Sequence, residues 1–102
     1  MPHMVFDKIL DLEIFSRQFQ AVVLKEPFLI KLMDVFLDRE KRTALIPTVA
    51  IGRIHQQFLI ELSTGKDRTT VRLYSGIDPE KTDGVKTALG LVAKTIQEGN
   101  QN

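Results

Sequence analysis

The sequence predicts an α+β domain in which two N-terminal helices and one C-terminal helix pack on the same face of a three-stranded antiparallel meander. Three observations predict it. Residues 4–37 are crowded with apolar side chains, 21 of 34, and hold five of the six phenylalanines. Across residues 58–74 apolar and polar positions alternate on both sides of a polar loop that contains Gly65. Near the C-terminus Val85, Leu89, Val92 and Ile96 recur at helical spacing behind a proline.

Taken in order, Val5, Ile9, Leu12, Phe19 and Val23 lie at steps of four, three, seven and four, one stripe of an amphipathic helix over residues 5–24. Phe6, Leu10 and Ile14 fall on a second face of that helix, which therefore needs cover on two sides. Pro27 suits the first turn of a second helix over 28–37, since its missing amide hydrogen would be unbonded there anyway. Residues 43–63 are rich in β-branched side chains and read as strand, broken near Gly52, although Pro47, Ile51, Ile54, Phe58 and Leu62 also fit helical spacing. A hairpin follows, with Phe58, Ile60 and Leu62 on one strand and Val71 and Leu73 on the next. Asp78-Pro79-Glu80 is a helix start, with Gly84 weakening the first turn and Gly99 ending the helix.

A length of 102 residues with 43% apolar and 26% charged side chains describes one domain spanning 1–102, loose at 1–4 and 99–102. The absence of cysteine excludes disulfides, thiolate metal sites and cysteine nucleophiles. No metal or other cofactor is implied and no small-molecule substrate is evident. The early apolar runs are far shorter than the roughly 18 residues of a membrane span, so no membrane partner is expected and the location expected is cytoplasmic.

No catalytic constellation is present. The run Ser63-Thr64-Gly65-Lys66-Asp67 lacks the leading glycine of a phosphate-binding loop, with Ile60 in its place, and has Asp67 where a magnesium-holding hydroxyl belongs. His55 is the one histidine away from the N-terminus and has no companion to complete a metal set. Asp7 and Asp11 stand a helical turn apart, a spacing more often solvated than catalytic.

Charge carries the functional clue. Residues 1–38 sum to −2, residues 39–72 to +4 and residues 73–102 to −1. Lys66, Arg68 and Arg72 fall on one expected hairpin, with Arg53 and His55 just upstream, so the expectation is a non-enzymatic protein that contacts DNA or RNA through these five side chains. The apolar face of Phe6, Leu10 and Ile14 is expected to form a homodimer interface. The competing reading is a protein–protein adaptor or assembly subunit that uses the N-terminal helical hairpin and binds no nucleic acid.

Two partial resemblances accompany this reading. The strand, basic turn and strand over residues 58–74 resemble the wing of winged-helix DNA-binding regulators, which implies a recognition helix over 47–57 and a mostly α fold with one hairpin. Residues 37–47 are longer than that family's helix turn, and Gly52 interrupts the implied helix. The order helix, three strands, helix over 27–98 is similar to a double-stranded-RNA-binding domain, with Gly52 and His55 placed like residues of its first hairpin. Where that family carries a lysine cluster, this chain has the acidic start of its last helix.

Overall fold

The computed structural model describes residues 3–26, 28–74, 76, 79–80 and 82–99. They form strands β1 (His3–Phe6), β2 (Val22–Leu24), β3 (Leu29–Leu32), β4 (Phe36–Leu37), β5 (Thr43–Ile51), β6 (His55–Thr64) and β7 (Thr69–Leu73), with helices α1 (Leu12–Gln18) and α2 (Asp83–Gly99). All seven strands join one antiparallel sheet in the order β1-β7-β6-β5-β3-β2, with β4 pairing β5 beyond the end of β3. The sheet curls into a half-barrel, and α2 lies against β3, β5 and β7.

Alternation decides what enters the core. Ile30, Leu32, Ala44, Ile46, Phe58 and Ile60 are all buried, and the register places Ile46 opposite Ile60 and Leu62 opposite Val71, so one face of every central strand looks inward. The helix answers with Val85, Ala88, Leu89, Val92 and Ile96, each buried against that concave face.

The expected fold class is corrected at its N-terminal half: no helical hairpin forms, and the architecture is mostly sheet. Residues 3–6 pair with β7 and residues 22–24 pair with β3, leaving only residues 12–18 helical. The physical reason is the two-sided apolarity already visible in the sequence. A lone helix apolar on two faces needs two covers, whereas short strands send alternate residues inward and satisfy their backbone on a neighbour's edge. Leu29–Leu32 shows the same substitution of periods, because Ile30 and Leu32 point inward while Lys31 points to solvent. Pro27, the expected start of the second helix, lies outside the described residues. In α1, Asp11 caps the first turn by accepting from the Ile14 amide, and the backbone of Phe19 turns extended to end it.

The winged-helix alternative fails as well. Residues 47–57 run through the end of β5, a turn and the start of β6, so no recognition helix exists. The resemblance to an RNA-binding domain also lapses, because residues 28–42 contain no helix. In the β5–β6 turn the Gly52 amide donates to the Ile54 carbonyl, and a Cβ on Gly52 would come within 3.1 Å of the Phe28 ring.

Proline in a central strand needs explaining, and the register supplies the reason. Leu32 opposes Thr48 and Phe36 opposes Leu45, four steps on one strand against three on β5, so β3 and β4 are one edge interrupted by a bulge. The Pro47 carbonyl accepts from the Met33 amide at that junction. In an extended strand the nitrogen of a residue faces the same side as its carbonyl. The absent N–H of Pro47 therefore falls at the bulge, where the ladder is already broken.

The C-terminal helix begins at Asp83, capped by Thr82, whose hydroxyl accepts from the Val85 amide and whose carbonyl accepts from Lys86. Asp78, the expected cap, and the tail of residues 100–102 lie outside the described residues. His3 and Met4, expected in a loose end, are paired with Arg72 and Val71 in the ladder.

Candidate interaction surface

The strands that the basic residues sit on separate them. Arg53 and His55 belong to the β5–β6 turn, whereas Lys66 and Arg68 belong to the β6–β7 turn at the other end of β6. Nine residue steps lie between the ends of that strand, about 30 Å at the usual rise, so no continuous basic strip joins the two groups.

Their charges are also engaged. The Arg72 guanidinium donates to Glu61 Oε2 from Nε at 3.0 Å and lies 2.8 Å from it at Nη2, over a carboxylate whose side chain is only 11% exposed. Arg68 Nε donates to Asp67 Oδ1 at 3.1 Å, and this bond, then the carboxylate's field, pushes the Arg68 pKa up. Among the described residues Lys66 makes no ion pair. Further basic residues come from the β4–β5 turn, which the bond from the Thr64 amide to the Arg42 carbonyl holds beside the β6–β7 turn. That turn is built by Asp38, whose carboxylate accepts from the amides of Arg42 and Thr43, and it places Lys41 in the left-handed region at φ 60°. The Lys41 ammonium donates to the Glu13 carboxylate and thereby holds the Glu13 carboxyl below its ordinary range, with Arg17 adding to the effect.

The helix expected to carry the dimer face does not form. Phe6 lies in β1 and Leu10 in the connection to α1, both half-buried against the core, while Ile14 is exposed on α1. The three residues share no helix. The apolar excess that suggested them is displaced to another place, the convex face of the sheet.

On that face β5 presents Leu45, Pro47 and Ile51, all half-buried, with Val49 between them buried beneath its neighbours. The register puts Leu29 beside Ile51, Phe36 beside Leu45, and Leu59 beside Pro47. Both helices bury their apolar sides in the cluster on the concave side, so no element among the described residues packs over this stripe. Phe36 is 57% exposed and Met33 is 47% exposed. Between Met33, Pro47 and Leu59 the surface dips into a shallow hollow of about 300 Å³. Toward β7 the same face turns polar through Gln57, Ser63, Thr70 and the Arg72–Glu61 pair.

This surface was missed for a specific reason. An antiparallel strand covered on one side alternates apolar with polar, and residues 44–51 do not: Ala-Leu-Ile-Pro-Thr-Val-Ala-Ile is apolar on both sides, the pattern of a strand covered twice. That signal was present in the sequence. It was overshadowed by the larger apolar excess before residue 38.

A second concavity of about 280 Å³ opens between the β5–β6 turn and the start of α2, with Phe28, Gly52, Arg53, Thr82 and Gly84 among its walls. The Thr82 hydroxyl there is already committed to the helix cap, and Asp83 offsets the charge of Arg53. Among the described residues no three His, Asp or Glu side chains converge to hold a metal, and no helix is long and apolar enough to cross a membrane.

Comparison with known proteins yields no match to a family model, to a curated sequence or to a solved structure.

Proposed function

We propose that this protein is a non-enzymatic interaction module that assembles with protein through the convex face of its sheet. The observation that carries this reading is β5, packed by α2 on its concave side and equally apolar on the side that no described element covers. Exposed contiguous apolar surface costs hydration free energy in a monomer, and a patch of several hundred square ångströms is characteristic of an interaction site. An apolar partner surface removes that cost without help from charge. The test is a photo-crosslinking benzoylphenylalanine placed at Phe36, with the same group at exposed Gln97 on α2 as control. Protein adducts from position 36 and none from position 97 are expected in the native host, and equal yields from the two positions refute the reading.

A second reading is kept by one observation, the adjacency of the β4–β5 and β6–β7 turns, which brings Arg39, Lys41, Arg42 and Lys66 to one end of the sheet. In that reading this end, without Arg53 and His55, contacts the phosphates of DNA or RNA. The engagement of Lys41 and Arg68 by acidic neighbours weighs against it. Salt dependence separates the two readings, because phosphate contacts weaken steeply with ionic strength and an apolar face does not.

A further inference from the structure

We infer that the occupant of the convex face is a second copy of this chain, docked about a two-fold axis that lies in the plane of the face and passes between Phe36 and Pro47. The inference rests on the reading of that face as an interaction surface and adds the identity of the partner.

Self-complementarity is the first support. The face carries a projection, Phe36, and a recess bordered by Met33, Pro47 and Leu59. Phe36 stands opposite Leu45, one inward-outward repeat along β5 from Pro47 and one strand to the side. Those offsets, about 7 Å along the strand and about 5 Å across, put the projection about 8 Å from Pro47, on the near border of a recess whose walls extend to Gln57. A two-fold axis midway between them seats each Phe36 in the other copy's recess, and the two contacts form together because an isologous interface repeats every contact. The bulge creates both features. It turns Met33 and Phe36 out at the edge of the sheet and accommodates at Pro47 a flat ring that leaves the recess shallow.

Charge is the second support. Glu61 and Arg72, the charged pair on this face, satisfy each other within one chain, so they offer a charged ligand no unmatched group. Lys31 lies on this face between Val23 and Val49, on the far side of the recess from Phe36, so an axis between Phe36 and Pro47 does not set it against its own copy. Sheets pack face to face at about 10 Å, so the pair would form a two-sheet sandwich with each α2 on the outside.

Extent sets the strength. From Leu45 to Ile51 the stripe is about 20 Å long, and from Val23 to Leu59 it crosses four strands, about 20 Å with side chains; with Lys31 and Gln57 inside that outline, its apolar part stays below about 400 Å² per copy. A standard interface takes about 800 Å² per partner. The pair therefore belongs to the exchanging class, with dissociation expected at about 10–100 µM and no obligate dimer.

The experiment is sedimentation velocity of the full chain from 5 to 500 µM, roughly the range that brackets that affinity, with Phe36→Asp and Met33→Lys in parallel and circular dichroism to show that each variant keeps its sheet. The inference expects the unmodified chain to move from monomer to dimer across the range, and each variant to need at least tenfold more protein. It also expects crosslinks from benzoylphenylalanine at position 36 to reach Pro47 or Leu59 of a differently isotope-labelled copy. A chain that stays monomeric throughout overturns the second copy as occupant. Heterologous adducts from position 36 in the host then still sustain the interaction surface itself. A dimer that forms equally well in both variants overturns the inference, because pairing then uses another surface, while the reading beneath it falls only if positions 36 and 97 crosslink equally.

Discussion

Thr69 tests whether the strand-rich N-terminus is held as described. It is fully buried at the start of β7, and its hydroxyl donates to the Lys8 carbonyl and accepts from the Leu10 amide, both at 2.9 Å. These two bonds tie the connection between β1 and α1 to the sheet, so that Leu10 reaches the core and Leu12 is buried beside it. Thr69→Val keeps the shape and the strand preference and removes both bonds. Each partly buried bond is worth about 1 kcal/mol net, and the stranded amide and carbonyl regain only part of their hydration, so the expected loss is about 2 kcal/mol. For a domain of this length that lowers the melting temperature by roughly 10 °C. Thr69→Ser keeps the hydroxyl and gives up one methyl, costing about 1 kcal/mol. Urea unfolding of the three proteins, with an unchanged m-value, measures the order, and amide exchange at Leu10 is expected to accelerate in the valine variant alone. A valine variant as stable as the parent, or a serine variant less stable than the valine one, would refute the reasoning.

Three further outcomes are expected. Arg72→Ala strands the nearly buried Glu61 carboxylate on the convex face and costs about 1–2 kcal/mol, most of it recovered when Glu61→Gln is added, as a double-mutant cycle by urea unfolding will measure. Because Lys41 holds the Glu13 carboxyl below its ordinary value of 4.5, the folded state gains from this contact above that pH, and the gain fades as pH falls through the lowered value. Glu13→Gln is accordingly less stable than the parent at neutral pH, by an amount that shrinks on acidification and in high salt, read from melting temperatures across pH. If the second reading of function is right, the parent protein shifts a mixed DNA or RNA probe at about 50 mM salt, and Lys66→Ala with Arg68→Ala makes the salt dependence shallower by about one to two units. A parent that leaves every probe unshifted removes that reading.

Local physics made some elements legible in the sequence. Residues 60–63 and 70–73 alternate apolar with polar on either side of a Gly-containing loop, and residues 85–96 repeat at helical spacing, because each of those segments has one face to bury and its period shows which. The β5–β6–β7 order and the last helix follow from such patterns. What lay outside them was the fate of residues 3–37, whose apolar side chains are dense enough to satisfy both a helical and a strand period. There the choice belongs to the neighbours: the open edges of β7 and β3 supply backbone partners for residues 3–6 and 22–24, and no local preference in those residues announces that they will be met. The candidate surface divides in the same way. That residues 44–51 need cover on two sides was readable from composition alone, whereas the location of the uncovered side depended on α2 taking the concave one. Basic residues close in sequence were likewise assigned to opposite ends of the molecule only when β6 extended as one strand, because ten extended residues separate charges by a distance that counting along the chain conceals.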